Sequence, residues 1–261
     1  MKSFLEDLAR GAGALAMDYR KRLSQLRVDA KGARDMVTEA DIAVEEFIIR
    51  QIRSQYPDHA ILGEESGHHT GSDTRWIIDP IDGTLSFMRG QPDFSVSIGI
   101  EQAGRIIAGA VYIPVLDELF VAEQGKGAML NNEPIQVSET ATVRESLMGT
   151  GFACIRNECG SMNLFYLPRL IPFMFEIRRY GSAAMHMAYV ACGRLDGFYE
   201  FGLGLHDMAA GKILVKEAGG RVTDFAGGET DLPGQVAATN TRIHDEFLSL
   251  LSSLSSEYKS H

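Results

Sequence analysis

The sequence predicts a layered fold of the mixed α+β and α/β class, with a mostly antiparallel N-terminal sheet and a mixed C-terminal sheet. Apolar residues recur at helical spacing over the first 26 residues, and Val- and Ile-rich runs follow one another directly between residues 60 and 122. After residue 147, predicted strands alternate with predicted helices. Consecutive strands pair antiparallel, whereas alternation is typical of layered α/β structure.

In the N-terminal half, the apolar spacing predicts a first helix from Phe4 to Leu26. A second helix is predicted to begin at Thr38, whose hydroxyl can cap it together with Asp41 three residues on, and to end before Pro57. The predicted strands of this half are 60–62, 76–78, 95–100, 106–112 and 118–122.

The segment 136–146 is polar and poor in apolar residues, and it is the predicted linker. We therefore expect an N-terminal domain over 1–140, carrying most metal ligands, and a C-terminal domain over 141–261. The C-terminal half is predicted to contain strands 147–151, 176–180, 196–201, 221–224 and 235–238, and helices 160–171, 181–192, 206–218 and from 242. Ser182 is expected to cap the second of these helices.

The composition is that of an ordinary globular protein and limits the function. Among 261 residues, 25 Lys and Arg face 35 Asp and Glu, a formal charge of −10. A nucleic-acid partner normally requires a basic face, so no direct nucleic-acid contact is expected. No stretch approaches the roughly 18 apolar residues needed to cross a bilayer, so no membrane contact is expected. The 3 cysteines form no disulfide framework, which favours a cytoplasmic location.

The most informative window is WIIDPIDGT, from Trp76 to Thr84. A predicted apolar strand ends at Asp79, Pro80 is expected to end the strand pairing, Asp82 lies three residues on, and Gly83 opens a turn or short helix. Such a corner places two carboxylates and several backbone N–H groups at one point, which suits a divalent cation beside an oxyanion. Asp-Pro and Asp-Gly are also common turn dipeptides, so this window alone is equally consistent with an ordinary turn.

Two further acidic residues lie at the ends of predicted elements. Glu64 follows the predicted strand 60–62 and is either a third ligand or a solvated surface charge. Asp207 lies in the first turn of the predicted helix 206–218, where it is either a fourth ligand or an acid favoured by the helix dipole. Each of these residues is a weak signal when taken alone.

Together these motifs resemble the inositol monophosphatase family of metal-dependent, lithium-sensitive phosphatases. The resemblance covers nearly the whole chain, through DMVTEAD (35–41), GEES (63–66), WIIDPIDGT (76–84), GSA (181–183), DGFYE (196–200) and DMAAG (207–211). It implies an αβαβα sandwich of the sugar-phosphatase type. Because family members are often dimers, it also implies a homodimer.

The resemblance implies two or three Mg²⁺ ions and their ligands. Glu64, Asp79 and the backbone carbonyl of Ile81 resemble the ligands of the first ion. Asp79, Asp82 and Asp207 resemble those of the second ion, and Glu64 also lies near a third, weaker one. Converging carboxylates repel one another and raise their own pKa values unless cations neutralise them, so this ligand set is consistent with bound metal.

The resemblance also implies catalytic and substrate-binding residues. Thr84, with Asp41 behind it, resembles the pair that orients the attacking water, and Glu64 is the third catalytic residue. The backbone N–H groups of Gly83 and Thr84 would hold the phosphate. Glu200 matches a glutamate that binds a substrate hydroxyl. The alternative interpretation is that Glu200 is simply a charged residue at the end of a strand. The other implied substrate-side residues are Gly181, Ser182, Ala183 and Asp207.

The implied reaction is hydrolysis of an inositol monophosphate, or a similar polyol or sugar phosphate, by direct attack of metal-activated water without a phosphoenzyme. Related members hydrolyse fructose 1,6-bisphosphate, histidinol phosphate or 3′-phosphoadenosine 5′-phosphate. The sequence departs from the commonest family pattern at Leu85 and Ser86, usually Thr-Asn, and at His206, usually Trp. A non-enzymatic alternative is a regulatory, protein-binding module on the same fold.

Overall fold

The structure, a computed structural model, describes residues 1–32, 35–156, 162–228 and 234–258. Its helices are α1 (Lys2–Arg20), α2 (Glu39–Gln55), α3 (Thr84–Met88), α4 (Ala153–Arg156), α5 (Met162–Leu170), α6 (Ala183–Ala191), α7 (Leu205–Glu217) and α8 (His244–Tyr258). Its strands are β1 (Val28–Gly32), β2 (Asp35–Thr38), β3 (Ala60–Gly63), β4 (Gly67–His69), β5 (Thr74–Asp82), β6 (Ser95–Gln102), β7 (Arg105–Ile113), β8 (Glu118–Glu123), β9 (Ala128–Leu130), β10 (Glu133–Ile135), β11 (Leu147–Thr150), β12 (Glu176–Arg178), β13 (Gly197–Leu203), β14 (Arg221–Thr223) and β15 (Gly234–Thr239).

These elements stack in five layers. Helices α1 and α2 cover one face of an eight-stranded sheet, and α6 and α7 lie between this sheet and a five-stranded one. Helices α4, α5 and α8 cover the outer face of the five-stranded sheet. The predicted αβαβα class is therefore confirmed. No helix in the described ranges has both the length and the apolar character that spanning a membrane requires.

The two sheets have the predicted strand directions. In the eight-stranded sheet, ordered β10-β9-β8-β7-β6-β5-β3-β4, only the β3–β5 pair is parallel. The five-stranded sheet, ordered β12-β11-β13-β15-β14, has parallel pairs around β11 and antiparallel pairs around β15. The chain changes sheets between Ile135 and Leu147, around the predicted linker. Division into two domains at residue 140 stays a prediction.

The local signals place the ends of α2 and α7 closely and the end of α1 less closely. Thr38 caps α2 as predicted, since its Oγ1 accepts from Ala40 N at 3.1 Å and the Asp41 carboxylate accepts from Thr38 N at 2.8 Å. Helix α1 ends at Arg20 rather than at Leu26, and a short 3₁₀ turn follows it. The predicted start of α5 at residue 160 lies outside the described residues.

The prediction that Pro80 ends strand pairing is wrong. Strand β5 continues through Pro80, with Asp79 opposite Ser97 and Asp82 opposite Ser95, so a bulge lies between the two acids. Residues in a bulge leave the ladder, and therefore the missing N–H of proline breaks no pairing. Side chains three residues apart on a regular strand point to opposite faces, whereas the bulge lets these two carboxylates lie together.

Candidate metal and phosphate site

Three buried carboxylates converge between the two sheets. Asp79 and Asp82 come from the bulged end of β5, and Asp207 comes from the first turn of α7. One carboxylate oxygen from each residue lies within 4.8 Å of the other two. Like charges at this separation repel strongly in a buried environment, so the group requires protons or cations to be stable.

Asp79 carries the clearest sign of this repulsion. Burial, followed by the charges of Glu64, Asp82 and Asp207, raises its pKa well above the usual range. Its Oδ1 atom is buried and has no hydrogen-bond partner among the described residues. Three hard oxygen donors, one of them with an unused buried oxygen, fit a divalent cation such as Mg²⁺.

The other two carboxylates are held in place by backbone and hydroxyl donors. The Oδ2 atom of Asp82 accepts from Ser182 Oγ and from Ala184 N, both at 2.7 Å. The Oδ2 atom of Asp207 accepts from Gly204 N at 2.5 Å. These bonds stabilise the ionised form of each carboxylate and fix its orientation.

Glu64 lies beside this group rather than within it. Its backbone N–H donates to Ile78 O at 3.1 Å, and its Oε1 lies 3.3 Å from Lys31 Nζ. Burial opposes ionisation of Glu64, but the charges of His206 and Lys31 and a hydrogen bond from Asp79 outweigh it and lower its pKa. The pKa values of the two neighbouring carboxyls therefore shift in opposite directions, that of Glu64 downwards and that of Asp79 upwards.

Thr84 and Asp41 meet at the start of α3. The Thr84 hydroxyl lies 3.2 Å from Asp41 Oδ1 and 3.2 Å from the carbonyl oxygen of Ile81. Burial raises the pKa of Asp41 to about 6, while hydrogen bonds from Thr38 oppose the shift. When Thr84 donates its hydrogen to Asp41, its oxygen lone pairs can accept a hydrogen from a water molecule.

Gly83 has to be glycine for two reasons. Its φ of +99° lies in the left-handed region, and an added Cβ would come within 2.9 Å of the carbonyl oxygen of Asp93. The residue turns the chain from the end of β5 into α3. The turn thus presents Gly83 and Thr84 on the side where the neighbouring cavity opens.

A cavity of about 390 Å³ lies next to the carboxylates. Of the residues predicted on the substrate side, it is lined by Gly83, Thr84, Gly181, Ser182, Ala183 and Glu200. Asp207 is not among the lining residues and lies with the metal group instead. The cavity also has an apolar wall, formed by Met36, Leu85, Phe152, Ile155 and Leu203. This volume and mixed lining are typical of small-molecule sites.

Glu200 also lines this cavity, at 5% exposure. Its Oε1 accepts from Ala153 N at 2.8 Å. A Cβ added at Gly151 would lie 2.2 Å from Glu200 Oε2, so the glycine allows the carboxylate to approach the backbone. The position and the acceptor character of Glu200 suit a hydroxyl-bearing ligand.

The similarity to known proteins agrees with this arrangement. The family model for the inositol monophosphatase family matches residues 1–256. The chain belongs to the inositol monophosphatase family.

Similar proteins match along almost their whole length. Nus factor SuhB of Pseudomonas aeruginosa is 43% identical over 250 residues, which are 93% of this chain and 92% of that protein. The extragenic suppressor protein suhB from Bartonella henselae has a TM-score of 0.91 at 37% identity, covering 95% of this chain and 97% of that one. An IMPase from Thermotoga maritima has a TM-score of 0.88 at 37% identity, covering 98% of each chain.

The departures from the commonest inositol monophosphatase pattern lie beside the site. Leu85 is 56% exposed and Ser86 is 4% exposed, and both line the cavity. His206 Nε2 lies 3.7 Å from Asp207 Oδ2, and the charge of His206 lowers the pKa of Glu64. The imidazole of His206 thus brings a basic ring nitrogen to the edge of the carboxylate group, where an indole has none.

Glu45 is a residue of the site that the sequence analysis did not identify. It is 2% exposed, and its two carboxylate oxygens accept from Glu65 N at 2.9 Å and Ser66 N at 2.7 Å. An added Cβ at Gly63 would lie 2.5 Å from Glu45 Oε1. Glu45 thus fixes the turn that carries Glu64. The sequence feature that could have identified Glu45 is its position one helical turn after Asp41, on the same face of α2.

His186 is a second residue that the sequence analysis did not identify. Burial lowers its pKa to about 4, so the ring is neutral at pH 7. Its Nδ1 lies 2.6 Å from Ser182 O, and Tyr180 N donates to its Nε2 at 3.2 Å. The neutral ring therefore donates on one side and accepts on the other, and it bridges the turn at Gly181, whose φ is +101°. A histidine on an apolar helix gives no sequence signal for this role.

Proposed function

We propose that the protein is a Mg²⁺-dependent phosphomonoesterase that hydrolyses an inositol monophosphate, or a similar polyol or sugar phosphate, to alcohol and inorganic phosphate. The observation that carries the proposal is the group of three buried carboxylates beside a cavity lined by Gly83 and Thr84. Membership of the inositol monophosphatase family supports it.

In this proposal the ions are held by Asp79, Asp82 and Asp207, with Glu64 and the carbonyl of Ile81 completing the ligand set. When bound, Mg²⁺ supplies Lewis-acid chemistry that stabilises charge on phosphoryl oxygens and makes water a stronger acid. The unpartnered Oδ1 of Asp79 supports this assignment, because a buried anionic oxygen without a partner is otherwise unstable.

The remaining side chains orient the reactants. Asp41 accepts the hydroxyl hydrogen of Thr84, and Thr84 accepts a hydrogen from the attacking water, which aligns that water with phosphorus. The N–H groups of Gly83 and Thr84 hold phosphate oxygens, and Glu200 accepts a hydroxyl of the alcohol. The fructose 1,6-bisphosphate, histidinol phosphate and 3′-phosphoadenosine 5′-phosphate activities of related members are the alternatives.

The test is phosphate release from inositol 1-phosphate, glycerol 2-phosphate, fructose 1,6-bisphosphate, histidinol phosphate and 3′-phosphoadenosine 5′-phosphate. Each ester is measured with Mg²⁺, with EDTA, and with Mg²⁺ plus Li⁺. We expect release that requires Mg²⁺ and falls with Li⁺, and the order of kcat/KM identifies the substrate class. Equal release in EDTA and in Mg²⁺ would contradict a metal-dependent reaction.

A second candidate function follows from the name of the Pseudomonas aeruginosa relative, a Nus factor. On that basis, the same fold would act as a regulatory, protein-binding module. No release from any ester, by protein that calorimetry shows to bind Mg²⁺, would favour this function over the phosphatase.

We also propose that the protein forms a homodimer and does not contact nucleic acid directly. The family supports the dimer, and the net charge of −10 argues against a nucleic-acid contact. Light scattering at several concentrations tests the first statement. Binding of labelled RNA and DNA at low and physiological salt tests the second.

A further inference from the structure

One positively charged side chain lines the cavity and has no part in the proposed reaction. Arg179 is an exposed residue that lines the cavity beside Gly181. A Cβ added at Gly181 would lie 3.0 Å from Arg179 Nη1 and 3.1 Å from Ser86 Oγ. The guanidinium and this hydroxyl therefore both lie close to Gly181, at the wall of the cavity.

Arg179 has no partner for its charge within the described part of the chain. Its side chain forms no hydrogen bond or ion pair with any residue that the structure describes. The adjacent Arg178, by contrast, lies 3.2 Å from Glu176 Oε1 and donates to the carbonyl of Ile177. A guanidinium presents five donors in a planar fork that matches a phosphate or a carboxylate. Arg179 is therefore the one of the two that can receive an anionic ligand without breaking an existing pair.

Arg179 is close to the proposed phosphate site. An added Cβ at Gly83 would lie 3.3 Å from the carbonyl oxygen of Gly181, so Gly181 adjoins both Gly83 and Arg179. In the proposed reaction, Gly83 and Thr84 bind the phosphate that is cleaved. Arg179 lies against Gly181, next to this phosphate site, and is within reach of the alcohol portion of a bound ester.

The described lining of the cavity carries no second permanent positive charge. Besides Arg179, the titratable residues that line the cavity are Asp82, Glu200 and His186, whose ring is neutral. Among the described lining residues, Arg179 is the one permanent cation. An alcohol with only hydroxyl groups satisfies Glu200 and leaves Arg179 unpaired, whereas an alcohol with an anionic group satisfies both.

We infer that the cavity prefers phosphate esters whose alcohol carries a second anionic group, a phosphate or a carboxylate, and that Arg179 binds this group. The inference rests on the proposed phosphatase function and narrows its substrate class. Arg179 is thus a specificity-determining residue rather than part of the hydrolytic machinery.

The test uses two matched pairs of substrates. Fructose 1-phosphate and fructose 1,6-bisphosphate differ by a second phosphate, and glycerol 2-phosphate and 2-phosphoglycerate differ by a carboxylate. The kcat/KM of each ester is measured for the wild type, Arg179→Met, Arg179→Lys and Arg178→Met. The pair that shows the preference identifies which anionic group the site takes.

We expect the wild type to prefer, in at least one pair, the ester that carries the second anionic group. Arg179→Met lowers that preference about tenfold or more, mainly through KM, because a charge-assisted contact is lost. Arg179→Lys retains part of the preference, since it keeps the charge, and Arg178→Met leaves it unchanged.

Two results would overturn the inference while the phosphatase stands. One is a wild type that hydrolyses the esters without preference, or with a preference that Arg179→Met does not change. The other is an equal loss on both members of a pair, which assigns Arg179 to the phosphate that is cleaved. If the wild type hydrolyses none of the four esters, nor any ester of the wider panel, the proposed function itself fails and the inference fails with it.

Discussion

The hydroxyl of Ser182 donates a hydrogen bond of 2.7 Å to the carboxylate of Asp82 and so joins the two halves of the chain at the candidate metal site. The same hydroxyl accepts from Met185 N at 3.0 Å, which makes Ser182 the N-cap of α6 as predicted. Asp82 therefore lies at the positive end of the α6 dipole, which offsets part of its repulsion with Asp79 and Asp207.

Replacing Ser182 tests this arrangement. Ser182→Ala removes the helix cap and a charge-assisted hydrogen bond, so we expect the free energy of unfolding to fall by about 2 kcal/mol. Because Asp82 is then less well oriented, Mg²⁺ affinity falls about tenfold. Urea unfolding and calorimetric titration measure the two effects. Ser54→Ala, which removes a bond to the carbonyl of Gln51 within α2, is the control and changes neither.

Asp79 is expected to destabilise the folded protein when no metal is bound. Its raised pKa means that the folded state resists ionisation, so the stability lost to this group grows as pH rises above the ordinary value of 3.8. Asp79→Asn removes the charge at almost constant shape.

Thermal unfolding in EDTA and in excess Mg²⁺ measures the effect of Asp79→Asn. In EDTA at pH 8, we expect the variant to unfold at a higher temperature than the wild type. Mg²⁺ then stabilises the wild type much more than the variant, because a ligand that binds only the folded state stabilises it. A variant that is less stable than the wild type in EDTA would be inconsistent with repulsion among the three carboxylates.

The parts of the fold that the sequence predicts are those that depend on neighbouring residues. Thr38 and Asp41 form a capping box within four residues, so their spacing identifies the start of α2 directly. The β1–β2 hairpin was not predicted, because every residue of Val28–Gly32 is exposed and no apolar alternation marks the strand. The continuation of β5 through Pro80 depends on a bulge opposite β6, which is a tertiary feature.

In the candidate site, too, the features set by neighbouring residues were predicted and those set by tertiary packing were not. Asp79, Asp82 and Thr84 lie in one short window. The window itself indicated the two aspartates, and the role of Thr84 was implied by the family resemblance. The contact between Glu45 and Glu65 N spans 20 residues, and the contact between Ser182 and Asp82 spans 100. Packing of α2 and α6 against the eight-stranded sheet produces both contacts. No short sequence pattern predicts this packing.

Thr84 is expected to affect catalysis without affecting metal affinity. Thr84→Ala removes the hydroxyl that orients water between Asp41 and the phosphate, so kcat falls by roughly 100-fold or more. The Kd for Mg²⁺, measured by calorimetry, stays close to that of the wild type. Thr84→Ser returns the hydroxyl and restores most of the rate. A serine variant as slow as the alanine variant would argue against the role of the hydroxyl.

His186 gives the fold a defined dependence on pH. Its pKa is about 4 in the folded protein, against an ordinary value of 6.5, so the unfolded chain binds the proton more tightly. The stability that His186 contributes is complete above pH 6.5 and is lost as the pH falls towards 4.

The comparison of the wild type with His186→Gln isolates this contribution, because His244, whose pKa is also lowered to about 4, is present in both proteins. We expect the difference in free energy of unfolding between them to shrink steadily from pH 6.5 to pH 4. Urea unfolding at half-unit pH intervals measures it. A difference that is constant with pH would show that the ring is not held neutral.

The most direct test of the account is phosphate release by the wild type and by Asp79→Asn, at matched Mg²⁺ concentrations, on the ester that the wild type hydrolyses fastest. The account predicts Mg²⁺-dependent release by the wild type and a loss of about 1,000-fold or more in the variant, since the carboxylate shared between the ions is removed. Near-normal turnover by Asp79→Asn would contradict the assignment of Asp79, Asp82 and Asp207 as the metal site.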